Sequence, residues 1–250
     1  MNTLENQTVG ELVAQDFRTA AIFSKYGIDF CCKGHKTLIE ACAKKGLMVD
    51  RVQDEIETVL ASKSDVGIDF ISWPVDLLID YIEKTHHRYV EEKSNSLLFF
   101  LEKLCKVHGA RHPELLEIEV HFRICTGELA QHMKKEELIL FPFVKKMFNA
   151  LKNNAEIEQP YFGTIDNPIA MMKNEHENEG ERFRKIAILT DNYTPPSDAC
   201  ETYRVTFAML QEFEQDLHKH IHLENNIVFP KAKEMEEQLC GFLLNLNQMK

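Results

Sequence analysis

Apolar residues recur at three- and four-residue spacing along most of the chain, which predicts helices throughout. Up to about residue 62 the periodic runs are short. Thr8-x-x-Glu11 and Thr37-x-x-Glu40 have the spacing of capping boxes, and Gly27 and Gly46 stand where helices should stop. Three or four short helices are expected here, with a loop over 28–36. From Pro74 onward the runs lengthen, predicting helices over about 74–107, 113–149, 168–190 and 197–238. Pro74, Pro113 and Pro168 each fall in a first turn, where a missing N–H costs nothing, and Asn167 is a natural N-cap. The expected fold is all-α. A small helical domain over 1–62 and a linker over 63–73 precede an up-down four-helix bundle over 74–250.

Two of the long helices repeat a local pattern. His132-x3-Glu136-x4-Phe141-Pro142 and His220-x3-Glu224-x4-Phe229-Pro230 have identical spacing. An i, i+4 pair lies on one helical face, so both side chains can reach one metal centre. His132 and Glu136 share a stripe with Ile118, Phe122, Cys125, Leu129, Ile139 and Phe143; His220 and Glu224 share one with Phe213, Leu217 and Ile227. These faces should point into the bundle. Two carboxylates buried there without partners would cost several kcal/mol each, which coordinated dications offset.

His176 lies on the third helix with Ile169, Met172, Gly180 and Phe183, again on an apolar face. Glu175 precedes it and should point elsewhere. The first helix offers His86, aligned with Ile79, Ile82 and Val90, or His87, aligned with Val90, Ser94 and Leu98. Periodicity leans to His86 without deciding. His218 and His222 share a face with Gln211, Glu214, Gln215 and Asn225 and are expected in solvent. His108 lies roughly 30 Å beyond His87 along a straight helix, out of reach of a mid-bundle site, and His112 and His121 fall near the same end. Four histidines and two glutamates remain. If Glu136 and Glu224 each bridge two metals, each metal keeps two nitrogens and two carboxylate oxygens with open positions, which suits iron better than structural zinc.

Composition narrows the function. The 29 basic against 40 acidic residues give a net charge of −11 with no basic cluster, which argues against nucleic acid. No apolar run approaches the roughly 20 residues of a membrane span, and the N-terminus does not read as a secretory signal. The seven cysteines are odd in number and irregularly spaced, as expected of reduced thiols in the cytoplasm. Cys31-Cys32 lies in the 28–36 loop beside Lys33, His35 and Lys36, whose charge should favour thiolate. Two buried structural cysteines, or a strained vicinal disulfide, are the plainer readings. Cys42, Cys105, Cys125, Cys200 and Cys240 are isolated and read as packing residues.

Together, 8–12, Tyr26-Gly27-Ile28-Asp29-Phe30-Cys31-Cys32, the two His-x3-Glu elements and Glu175-His176 resemble the Repair of Iron Centers family over nearly the whole chain. The resemblance implies a hemerythrin-like bundle holding two non-haem irons, oxo- or hydroxo-bridged. It implies His87, His132, His176 and His220 as terminal ligands, with Glu136 and Glu224 as bridges. It takes the N-terminal segment as a dicysteine domain whose Cys31 and Cys32 form a reactive pair, exchanging iron or nitrosyl groups with the bundle. The implied function is repair of iron–sulfur clusters damaged by nitrosative or oxidative stress, through iron donation or nitric oxide processing. Partners would be damaged iron–sulfur proteins, with nitric oxide or O2 as small ligands, and a homodimer is left open. The competing functions are a hemerythrin-like carrier or sensor of O2 or NO, and a helical interaction module without metal. Lys33-Gly34-His35 departs from the two glycines usual after the cysteine pair; a left-handed first position would strain the loop at Lys33.

Overall fold

A computed structural model of the chain describes residues 4–62 and 68–248, with side chains described to residue 240. Among the described residues the regular structure is helical, with a single isolated bridge between Thr8 and Thr37. Two compact units divide the chain: Met1–Leu78 with Ile221–Lys250, and Ile79–His220. Residues 63–67 of the expected linker lie outside the described residues.

In the first unit the helices are α1 (Val9–Gln15), α2 (Ala20–Lys25), α3 (Leu38–Lys45) and α4 (Val49–Ala61). Both capping boxes form. Thr8 Oγ1 accepts from Glu11 N–H at 3.2 Å while Glu11 accepts from Thr8 N–H at 2.8 Å, and Thr37 with Glu40 repeats this at 3.3 and 3.0 Å. Gly46 ends α3 in the left-handed conformation, φ 66°. Val9, Leu12, Phe23, Leu38, Val52 and Ile56 are buried.

The second unit is the bundle. Its helices are α5 (Val75–Tyr81), which enters from the first unit, α6 (Arg88–His108), α7 (Glu114–Lys135), α8 (Phe141–Asn153), α9 (Asp166–Leu189) and α10 (Glu201–Leu223). The short joints that separate α5 from α6 and α7 from α8 are themselves helical, so the unit has four rods. The last rod runs on through α11 (Phe229–Gln248), and the division between units falls inside it. Phe122, Phe183 and Phe213, from three rods, meet with centroids 5.1 to 6.5 Å apart. Asn167 is not the N-cap: α9 begins at Asp166, and the Asn167 amide instead donates to Phe162 O at 2.8 Å.

The joints are π-helical turns, over Ile82–His87, Glu136–Leu140 and Glu224–Val228. In the last two, the N–H of Phe141 donates to Glu136 O and that of Phe229 to Glu224 O, five residues back. Each is followed by a proline, Pro142 or Pro230, which has no N–H for the preceding turn and crowds its carbonyls, favouring a widened turn. The extra residue shifts the apolar stripe. Leu140, Val144 and Met147 are buried after Glu136, whereas Ile139, expected in the stripe, is 37 % exposed and Phe143 only half-buried.

Candidate metal centre

The π turns coincide with the residues that carry chemistry. His87 closes the first, and Glu136 and Glu224 open the second and third. His87, His132, Glu136, His176, His220 and Glu224 are all at most 2 % exposed. His87 Nε2 lies 3.2 Å from His220 Nε2, and His176 Nε2 lies 3.0 Å from His132 Nε2. Glu136 Oε2 stands between the pairs, 3.4 Å from His87 Nε2 and 3.3 Å from His132 Nε2. Glu224 sits one turn beyond His220 on the same rod. Donor atoms of His87, Glu136, His220 and Glu224 lie within 4.8 Å of one another, as do those of His132, Glu136, His176 and Glu224. The two groups share both glutamates.

Donor spacing tests whether an ion fits. Donors about 2.1 Å from one ion are about 3.0 Å apart along an octahedral edge and about 3.4 Å apart along a tetrahedral one. The distances of 3.0 to 3.4 Å fall in that range. Imidazole nitrogen with carboxylate oxygen is a donor set for iron and related divalent ions. The residues present fit the metal.

The outer nitrogens prepare the inner ones. His132 Nδ1 donates to Glu175 at 2.8 Å, and His87 Nδ1 donates to Glu137 at 2.7 Å. An ionised carboxylate only accepts, so both histidines carry their proton on Nδ1 and turn the Nε2 lone pair inward. Glu175 also pairs with Lys135, and with the His132 hydrogen bond as the main cause its carboxyl is held down at about 2. Glu175 therefore does not point elsewhere. His132 lies on the neighbouring rod, and the periodicity of α9 alone could not show it. Glu137 was missed for the same reason; the only local signal was its place beside Glu136.

His86 and His87 are both buried, since a π turn presents adjacent residues to the interior. His87 joins the cluster. His86 Nδ1 instead donates to Asp216 at 2.9 Å, and its ring stacks on His220 at 5.8 Å. His108 is buried away from the cluster beside Cys200 and Tyr203.

His222 is not in solvent. It is 1 % exposed, lies against Phe17 and Phe30, and burial pushes its pKa down to about 3. Asn226 Nδ2 donates to its Nδ1 at 3.0 Å and to Phe30 O at 3.3 Å, while Asn225 Nδ2 donates to Cys31 O at 3.2 Å. These contacts hold the dicysteine loop. Cys31 is buried and Cys32 half-buried, with sulfurs 3.7 Å apart and unbonded. The expected thiolate-favouring surroundings are not found around Cys31. Its thiol is pushed up by its hydrogen bond with Cys32, by burial and by the carboxylate of Asp29, to which its Sγ donates at 3.4 Å. Lys33 is not left-handed, so the loop carries no strain there. Gly34 is the position that needs glycine: a Cβ would lie 2.5 Å from Phe30 O. Cys42 and Cys125 are packing residues, buried as expected, and Cys105 is half-buried, but Cys200 and Cys240 are exposed.

The hemerythrin HHE cation binding domain matches residues 78–232, and ScdA_N, described as a domain of unknown function (DUF542), matches 5–60. The iron–sulfur cluster repair protein YtfE of Musicola paradisiaca is 33 % identical over 226 residues, covering 90 % of this chain and 96 % of the relative. The chain belongs to the Repair of Iron Centers family. Proteins of the same name from Yersinia pestis and Escherichia coli are 32 % and 33 % identical over 227 residues, covering 91 % of this chain and 96 % of theirs. As a family member with a hemerythrin fold and these His/Glu clusters, the protein binds metal, in keeping with iron.

Proposed function

We propose that this protein repairs iron–sulfur clusters damaged by nitrosative or oxidative stress, holding two non-haem irons in the bundle. The observation that carries the reading is the pair of buried donor groups that share Glu136 and Glu224. In this reading His87 and His220 hold one ion, His132 and His176 the other, and the glutamates bridge. Negative charge between two dications offsets their repulsion. Iron bound there would supply a transferable metal and a redox centre able to bind nitric oxide or O2. The chain's own part is to keep the Nε2 lone pairs inward, through Glu137 and Glu175, and to exclude bulk water. Residues 74–250 would form the metal domain and 1–62 the dicysteine domain, joined by 63–73. Cys31 and Cys32 would be the reactive pair, acting on damaged iron–sulfur proteins in the cytoplasm. The double match, N-terminal and hemerythrin-like, supports repair over a simple carrier.

The test is metal content after anaerobic reconstitution. About two irons per chain are expected, falling in His87→Ala and much less in His86→Ala. Glu136→Gln and Glu224→Gln should each alter the magnetic coupling seen by Mössbauer and EPR spectroscopy, while His218→Ala leaves it unchanged. A single tight zinc, or unaltered coupling in both glutamine variants, would sink the reading.

A further inference from the structure

Outside the bundle, one other group of donors converges among the described residues. Asp29, Cys31 and Cys32 each place a ligand atom within 4.8 Å of the other two. The sulfurs are 3.7 Å apart, and Cys31 Sγ is 3.4 Å from Asp29 Oδ1. With metal–sulfur bonds of about 2.3 Å and metal–oxygen bonds of about 2.0 Å, a tetrahedral ion would separate its sulfurs by about 3.8 Å and sulfur from oxygen by about 3.5 Å. These two edges match those of a tetrahedral face, and the third, from Cys32 to Asp29, is within 4.8 Å.

We infer that Asp29, Cys31 and Cys32 form a separate site for one thiophilic divalent cation, with a fourth position open to an incoming ligand. The loop holds this triangle before any ion arrives. Asp29 Oδ1 accepts the N–H groups of Cys32 at 2.9 Å and Lys33 at 3.3 Å, which fixes the carboxylate against the sulfurs. From the other side, Asn225 and Asn226 take the carbonyls of Cys31 and Phe30. Gly10 N–H donates to Gly34 O at 2.8 Å, closing the loop onto α1. Cys32 is half-buried, so the ion enters from its side. Binding displaces the two thiol protons to solvent, forms two metal–sulfur bonds and one metal–oxygen bond, and transfers no electron. Three protein donors and an open position suit passing a metal onward better than storing it. The inference deepens the reading of Cys31 and Cys32 as a reactive pair.

Cobalt(II) is the probe, because cysteine ligation gives a thiolate-to-cobalt charge-transfer band that histidine and carboxylate ligation do not. The full chain is reconstituted with iron, then titrated anaerobically with cobalt(II). One equivalent should bring up the band, and exchange of cobalt into the bundle cannot mimic it. Cys31→Ser with Cys32→Ser should abolish it. Asp29→Asn, which keeps an oxygen to accept both N–H groups, should raise the cobalt Kd at least about tenfold at unchanged helix content. His176→Ala, a bundle change, should leave the band in place. No band in the wild-type chain, a band surviving the double serine variant, or an unchanged Kd in Asp29→Asn would each overturn the site. The reactive-pair reading fails separately, if the double serine variant still repairs a nitric-oxide-damaged cluster enzyme.

Discussion

At the scale of single residues, the groups behind the candidate ligands matter as much as the ligands. Glu175 and Glu137 touch no candidate metal position, yet each fixes the proton of a histidine that does. Glu175→Gln and Glu137→Gln can still accept a hydrogen bond but lose the charge that favours Nδ1–H. Iron affinity should drop on the order of 10- to 100-fold in each, read by competition with a chelator. Asp216→Asn, behind His86, should change it far less, and equal losses at all three positions would mean that generic packing was measured. A second residue reports on pH. Burial raises the Glu214 carboxyl from 4.5 to about 7. Between those values the native state keeps a proton that the unfolded chain releases, so stability falls as pH rises through that window. Glu214→Gln removes this penalty and should gain on the order of 1–3 kcal/mol over wild type near pH 8, and little below pH 5, in urea unfolding. A gain independent of pH would show that Glu214 is not the titrating group.

At the scale of elements, the π turns set the register of the bundle, and the division between the two units falls within the last rod. His220 and Glu224 face the candidate centre, while His222, Asn225 and Asn226 face the dicysteine loop. The two Asn amides satisfy buried carbonyls of that loop, and the Asn226 side chain occupies the space a Cβ on Gly10 would need, 2.5 Å from its Oδ1. Asn226→Ala removes one donor from the Phe30 carbonyl, at a cost of about 0.5–1.5 kcal/mol. Gly10→Ala forces the same contact apart. Both should lower the melting temperature and speed proteolysis within the first 60 residues, whereas Asn174→Ala, on an exposed face of α9, should do neither. Unchanged cleavage in both variants would mean the loop is held by other contacts.

At the scale of the whole molecule, metal and fold are linked. Several buried donors from four rods can be satisfied together by the ions they hold, so ions bound only to the native state stabilise it by mass action. Free iron at about 100 times its Kd adds about 2.7 kcal/mol. Anaerobic iron(II) should therefore raise the melting temperature of the metal-free chain, and the rise should vanish when His132 and His220 are both changed to Ala. A melting temperature indifferent to iron in the wild-type chain would contradict binding within the bundle. No helix among the described residues is long and apolar enough to cross a membrane.

The sequence by itself determined the helical class, both capping boxes and the doubled His-x3-Glu pattern, because caps and i, i+4 pairs are local and depend on residues within one or two turns. The tertiary structure decided what local periodicity could not. A constant 3.6-residue repeat pointed to His86 and to Ile139; the π turns add a residue, which turns His87 inward beside His86 and Leu140 inward in place of Ile139. The same limit explains Glu175 and His222. A polar side chain on one helix reads as solvated or idle until the neighbour that needs it is known. His132 and the ring of Phe30 are brought to them only when the chain folds.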